Sequence, residues 1–523
     1  MDITSIYFIC FFVILFLCFY FIQVKYQWII LLIGSLFFYG YGGLRNICFI
    51  LITAFTTYIA TLMIEKNLDA QKAYIKENKN ILSKEERTSY KKRQQTYRKT
   101  VMILTLVLNF GLLSYFKYIH FLIDQINILL SFGMYRTVSN DFTLIIPLGI
   151  SFYTFQTMGY LIDVYWGEVD AEHNFFKVLL FVSFFPQIIQ GPISNFSTLS
   201  KELFKEHIFS IKKYRWGLER VLWGFFKKMV IANALSPYVQ DVFKNYSSYA
   251  GVTVLFGAFM YSIQIYADFS GYMDIVCGLC EMLDIKLAEN FERPYFSKSI
   301  AEYWRRWHMT LGEWFKRYIY YPVATAKWNQ KLAKKMGKRA SVLPASIALV
   351  VVWMTTGLWH GASWAYIAWG AVNGLFIIFS LWMEPIYASL KNYFHVDEKL
   401  FIWKLFQVVR TFILVTFIKV LPEVGTLREG IGLIGRIFTN YSIPGNVKDL
   451  LPFVENFSTF NVIIIGTILL LVSSLLQRKK PVREYFDIIP IQIQIPILAL
   501  FSIIIVYYGI PVSNGIQFMY AQF

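Results

Sequence analysis

Apolar residues fill this chain in long runs, and between the runs lie short polar segments rich in lysine and arginine. A helix that crosses a bilayer needs roughly 20 mainly apolar residues. Runs of that kind fall near residues 5–23, 27–44, 46–64, 101–123, 143–162, 174–193, 250–267, 402–421, 459–476 and 489–510, with two further spans within 342–383. The pattern predicts an all-α polytopic membrane bundle of about 11–13 spans. It reads as one integral membrane domain over 1–523, without a soluble catalytic domain. The run from Ser5 to Ile22 has no basic segment ahead of it and no small-residue cleavage site before Lys25, so it is expected to be a first span and not a removed leader.

The polar segments orient the helices. Basic residues cluster between Glu65 and Thr100, again from Lys316 to Arg339, and a third time at Arg478, Lys479, Lys480 and Arg483. If all three face the cytoplasm, as the positive-inside bias requires, both termini lie outside. The region from Asn195 to Lys228 resists this count. It is also basic, through Lys201, Lys205, Lys212, Lys213, Arg215, Lys227 and Lys228, and strict alternation would put it outside. A re-entrant or interfacial segment is expected there, and non-spanning backbone at membrane depth is tolerated only where it is buried in protein or lines a cavity.

Composition agrees with the pattern. Of 523 residues, 56% are hydrophobic and 16% charged, where soluble domains carry about 25% charged residues. The net charge of +17 is distributed in short clusters between apolar runs, so it is a topology signal and not a nucleic-acid face. Cys10, Cys18 and Cys48 fall inside apolar spans, and Cys277 and Cys280 form a lone C-x-x-C in an apolar helical stretch, where packing is expected and no metal set or disulfide framework.

Two of the six histidines have unusual surroundings. The stretch from Val342 to Met383 has no Asp, Glu, Lys or Arg, yet it contains Gly357-Leu358-Trp359-His360-Gly361 near its middle. As helix it would be about 60 Å long, enough for two spans, and Gly357 and Gly361 are natural places for a break. An ionisable residue there is a functional candidate; a structural histidine bonded to a carbonyl at a helix end is the alternative. The second is His308, in Trp304-Arg305-Arg306-Trp307-His308. Read as one helix, Trp304, Trp307, Leu311, Trp314, Phe315 and Tyr318 form an apolar stripe with His308 on it, while Arg305, Arg306, Glu313 and Lys316 cover the other side. An interfacial helix with one inward histidine fits equally well. A hairpin turning at His360 on the outer side and a helix carrying His308 toward the cytoplasm would let an acyl group pass from an inner donor to an outer hydroxyl. No G-x-S-x-G elbow, H-E-x-x-H or glycine-rich phosphate loop competes with this arrangement.

The two histidine segments resemble the paired pattern of the membrane-bound O-acyltransferase family, and within it the alginate and peptidoglycan O-acetyltransferase branch. Four further stretches are similar to that branch: Ile150 to Gln156 with Tyr160 to Tyr165, Phe185-Pro186-Gln187 with Gly191-Pro192, Asp268 to Tyr272, and Glu289-Asn290-Phe291 with Pro294-Tyr295. The likeness covers roughly 145–373. It implies a helical bundle around a funnel-like tunnel, His360 as the essential catalytic residue and His308 as a second functional histidine nearer the cytoplasmic mouth. Trp304, Arg305, Arg306, Trp307, Trp359, Gln156, Gln187, Asp268 and Asn290 are the tunnel and substrate-binding residues it implies. Gln190 and Ser194-Asn195 depart from the alginate-type pattern and leave the acceptor open.

The activity implied by the resemblance is that of a bacterial cell-membrane enzyme passing an acyl group, acetyl from acetyl-CoA or another acyl thioester, to a cell-surface polysaccharide. No bound cofactor is implied. An extracytoplasmic transferase of the SGNH hydrolase fold is the implied partner. D-alanyl transfer to teichoic acid is the alternative within enzymes. A polysaccharide or lipid transporter is the remote one, for which no inverted repeat is visible. The chain ends in Phe518-Met519-Tyr520-Ala521-Gln522-Phe523, similar to the terminal motif of this branch and of a small single-span partner in the D-alanyl systems, a resemblance that implies Tyr520 as an acyl relay. By residue type alone these aromatics read as an interfacial belt.

Overall fold

The computed structural model describes residues 1–132, 137–144, 146–337, 340–440 and 457–509. Among these the regular structure is helical, and the only extended pairing is an isolated antiparallel bridge between Phe291 and Trp307. The helices group into two compact units, Met1–Ile211 with Leu283–Leu287, and Lys212–Met282 with Ala288–Phe523.

The first unit holds α1 (Ile6–Phe21), α2 (Gln27–Tyr41), α3 (Leu44–Glu77), α4 (Lys84–Phe132), α5 (Ile150–Trp166), α6 (Phe175–Ser183), α7 (Phe185–Ile188) and α8 (Phe196–Leu203). α3 packs against α4, α5 and α6. It buries Ile50, Ala54, Thr57, Thr61 and Ile64, a stripe at three- and four-residue spacing. The opposite case is α4, whose most apolar window is only 11% buried. Leu104 and Val107 are each 64% exposed there, and so much outward apolar surface is stable only against lipid.

Seven described helices are long and apolar enough to cross a membrane, and Ile6–Phe21 and Asn461–Leu476 are shorter apolar helices. The chain is a multi-pass membrane protein, with fewer full-length spans among the described residues than the expected 11–13. Two apolar runs account for part of the difference. The run near 174–193 breaks at Phe184, which leaves helical geometry just before Phe185-Pro186, so α6 has nine residues. α2 has 15, and at 1.5 Å per residue it is roughly 22 Å long, less than the ~30 Å hydrocarbon core.

The second unit begins within α9 (Ile211–Phe225), at Lys212, and continues through a π-helical segment (Phe226–Ala232) and α10 (Asn233–Lys244) to α11 (Gly251–Met282). α11 packs against the π segment and α10, and later against α18 (Phe401–Val420) and α19 (Leu427–Thr439). α9 approaches it backbone to backbone: a Cβ on Gly217 would lie 2.5 Å from the Gly278 carbonyl oxygen. The region that resisted the topology count is thus made of short helices. Its basic charge is partly internal, because Lys228 pairs with Asp268 at 2.7 Å and Lys227 with Asp274. A lysine neutralised inside the protein carries no topology signal, which is why counting it as a loop charge misleads.

Then come α12 (Ile300–Arg306), α13 (Met309–Phe315), a second π segment (Lys316–Tyr320), α14 (Tyr321–Ala324), α15 (Lys327–Met336), α16 (Leu343–His360) and α17 (Trp364–Tyr393). Beyond α19 lie α20 (Phe457–Leu476), α21 (Val482–Phe486) and α22 (Ile491–Ile504). The charge-free stretch is a hairpin broken at residues 361–363. Gly361 marks the break, as expected, but Gly357 does not. It lies inside α16, where a Cβ would stand 2.5 Å from the Tyr366 carbonyl oxygen, and its absence lets α17 come close.

Candidate active site

His308 sits at a break the sequence pattern conceals. The expected continuous helix through Trp304 and Tyr318 ends at Arg306, because Trp307 is extended and pairs with Phe291, and His308 is left-handed at φ +49°. α13 starts afresh at Met309. A non-glycine residue in that region costs on the order of 1–2 kcal/mol, so the surroundings must hold it.

Asn290 does so. Its backbone oxygen accepts the Met309 N–H at 3.0 Å, and its side-chain Oδ1 accepts the Thr310 N–H at 3.1 Å and the Thr310 hydroxyl at 3.0 Å, which supplies from a distant loop the cap that α13 lacks. The same Oδ1 lies 3.2 Å from His308 Nδ1. Since the Thr310 amide can only donate, that atom of Asn290 is the oxygen, and Nδ1 must carry a proton to bond it. The neutral ring therefore bears its lone pair on Nε2. Burial pushes the His308 pKa down to about 3, so the ring is neutral at physiological pH.

One turn earlier, Trp304 ties α12 to the hairpin. Its indole N–H donates to Asn373 Oδ1 at 2.9 Å, and its ring meets Trp353 and Trp369. His360, the last residue of α16, is buried, with its ring edge-on to Trp359 and to Trp369 at 4.9 Å between centroids in each case. The Trp359 ring also meets His308, at 6.1 Å. Trp359 is therefore the common neighbour of both histidines.

Of the remaining sequence-derived candidates, Trp307 is buried in this cluster and Arg306 pairs with Glu302 at 2.7 Å. Arg305 is exposed, and Asp268 is the buried partner of Lys228. Gln156 and Gln187 lie in the first unit, donating to the Phe181 carbonyl at 2.9 Å and to Ser194 Oγ at 2.6 Å. Tyr520 lies outside the described residues. Sequence reasoning missed Asn373 and Lys419. Both had a signal: Asn373 is the only amide side chain in the charge-free stretch 342–383, and Lys419 the only charge between Thr411 and Pro422.

Next to Asn290 the second unit contains a cavity of about 660 Å³. Its lining includes the polar residues Arg220, Lys227, Asp274, Arg293 and Arg483 and the apolar residues Leu469, Leu470, Leu498 and Phe501. Arg220 bridges Asp274 at 2.9 Å and Glu289 at 2.6 Å, which fixes the loop leading into Asn290.

Residues 168–418 match the sequence profile of MBOAT, the membrane-bound O-acyltransferase family. The chain is 38% identical over 277 residues to the probable alginate O-acetylase AlgI of Pseudomonas aeruginosa, covering 53% of this chain and 50% of that protein. It is 32% identical over 335 residues to the peptidoglycan O-acetyltransferase of Helicobacter pylori, covering 59% of each. With the teichoic acid D-alanyltransferase of Streptococcus thermophilus it shares 26% over 255 residues, 47% of this chain and 60% of the relative. The chain thus spans about half the length of the curated relatives it matches.

Proposed function

We propose that this chain, whose residues 168–418 match the membrane-bound O-acyltransferase family, is a member of it and transfers an acyl group, acetyl, from a cytoplasmic thioester across a bacterial cell membrane for O-acylation of a cell-surface polysaccharide. The observation that carries this reading is the meeting of His308 and His360 on Trp359, in a buried site walled by aromatic rings. On this reading His360 is the general base that takes the acceptor hydroxyl's proton as the oxygen attacks the acyl carbonyl, and the thiol leaves. Such a base contributes about 10²–10⁴ in rate. His308, held neutral by burial, is better suited to positioning than to storing a proton.

The cavity beside Asn290 suits the donor. Arg483, from the third basic cluster, lines it, and that cluster is cytoplasmic by the charge rule, so a thioester made in the cytoplasm would enter there. An extracytoplasmic transferase of the SGNH hydrolase fold receives the acyl group outside and delivers it to the polymer. The test is purified protein in proteoliposomes. Labelled acetyl-CoA is expected to yield transfer that His360→Ala abolishes while insertion is retained; near-normal turnover of that variant removes His360 from its role. D-alanyl transfer is the second reading, motivated by the 26% identity to the teichoic acid enzyme. Labelling only from a carrier protein charged with D-alanine would decide for it.

A further inference from the structure

Lys419 places its amino group inside an aromatic cage beside Trp307, the residue before His308. It projects from α18, is 5% exposed, and its Nζ lies 3.7 Å from the centroid of Trp307, 4.8 Å from that of Tyr295 and 5.2 Å from that of Tyr303. The rings are themselves ordered: Tyr303 and Trp307 stack at 5.6 Å, and Tyr295 and Tyr303 at 6.2 Å. Nζ also donates to the Tyr295 hydroxyl at 2.9 Å, and that hydroxyl donates in turn to the Ser262 carbonyl of α11. Ser262 Oγ meets Thr416 Oγ1 of α18 at 3.0 Å, closing the network. A methionine or leucine would fill the same space without the cost of desolvating an amine, so packing alone does not account for a lysine here.

We propose that Lys419 is a positioning residue for His308, acting through Trp307. Lys419 Nζ lies within cation–π range of the Trp307 face, and when protonated it is attracted by the ring quadrupole, while its hydrogen bond to Tyr295 holds it there in either state. Trp307 is the residue immediately before His308, and it is the one that leaves the helix to pair with Phe291, the neighbour of Asn290. Holding its ring fixes the start of the turn, while Asn290 fixes the end. Between the two the left-handed conformation of His308 has no freedom to relax, and the Nε2 lone pair keeps its direction. Lys419 touches no reacting atom in this scheme.

The proposal rests on the acyltransferase reading, and the experiment separates the two. Lys419→Met, Lys419→Arg and wild type are compared in proteoliposomes for kcat and KM, and each is labelled with 5-fluorotryptophan for ¹⁹F NMR, with the Trp307 resonance assigned by its loss in Trp307→Phe. Lys419→Met is expected to lower kcat about 10- to 100-fold with KM little changed, as misorientation of a catalytic group does. Lys419→Arg keeps a cation that stacks on aromatic faces and is expected to restore most of the rate. The Trp307 resonance should move in the Met variant and stay near its wild-type place in the Arg variant. Should Lys419→Met not insert, Trp307→Phe, whose ring attracts a cation more weakly, is expected to show an intermediate kcat loss. Wild-type kcat in Lys419→Met, or equal loss in Met and Arg variants, overturns the proposal. If the wild type transfers no acyl group, the acyltransferase reading fails, and an unmoved Trp307 resonance in the Met variant would separately overturn the cage.

Discussion

Replacing Asn290 by alanine removes one oxygen that serves three donors. Oδ1 accepts the Thr310 amide at 3.1 Å, the Thr310 hydroxyl at 3.0 Å and, at 3.2 Å, His308 Nδ1. Both residues are buried, Thr310 at 4% exposure and His308 at 2%. The hydroxyl can rotate and the ring can shift its proton, but the Thr310 amide can do neither. A buried donor that loses its acceptor costs about 1–3 kcal/mol, and that is the expected loss of stability. The Met309 amide keeps its partner, because that acceptor is the Asn290 backbone. α13 should therefore still form, with the damage concentrated on the imidazole. Without Oδ1 the ring is free to carry its proton on Nε2, where the proposed role of His308 calls for a lone pair, and on that proposal the expected loss in kcat is about 10²-fold. Asn290→Asp is the informative companion. It keeps the acceptor but sets a carboxylate beside the ring, which favours the imidazolium and raises the His308 pKa from about 3 toward neutrality. Its activity should fall as pH drops through 7, where wild type shows no such fall from His308. The assay is acyl transfer in proteoliposomes between pH 5.5 and 8.5, with thermal unfolding in detergent alongside. Wild-type kcat in Asn290→Ala, or superimposable pH profiles for wild type and Asn290→Asp, would refute the tautomer argument.

The same histidine sets an acid limit on stability. Its folded pKa is about 3 against an ordinary 6.5, so the unfolded chain takes up a proton first as pH falls, and stability present above 6.5 is lost by roughly 2 kcal/mol at pH 5; thermal scans of His308→Gln should show a flatter dependence between pH 7 and 5, and an unchanged slope would contradict it. Gly370→Leu drives a side chain into the Trp353 carbonyl and the Gly357 Cα, 3.0 Å from the added Cβ, and should destabilise the hairpin by about 1–3 kcal/mol or more, read as a lowered unfolding temperature; an unaltered midpoint means the helices can part freely. Tyr520→Phe removes only a hydroxyl, and polymer acylation should be lost if this tyrosine relays the acyl group, whereas wild-type surface acylation leaves the tail as an aromatic anchor.

Much of this protein is written in one dimension. Runs of apolar residues specify helices and lipid because satisfying backbone hydrogen bonds in hydrocarbon leaves the helix as the local solution, and that holds without knowledge of neighbours. The hairpin break beside His360 was legible for the same reason, since a charge-free stretch too long for one span must turn somewhere and Gly361 marks the place. The break at His308 was not legible. Residues 304–318 keep an unbroken helical stripe, and what ends the helix is an exchange of hydrogen bonds with Asn290, 18 residues away, together with the pairing of Trp307 with Phe291. Local periodicity carries no trace of a partner that arrives from another loop. The loop charges fail in the same way: Lys227 and Lys228 count as topology signals in the sequence, but Asp274 and Asp268 neutralise them in the fold. Lys419 is the limiting case. A lone lysine in an apolar run announces a constraint, but only the tertiary structure, by setting three aromatic rings around its amino group, decides what it is held against, because contact with a ring face depends on placement in space and not on order along the chain.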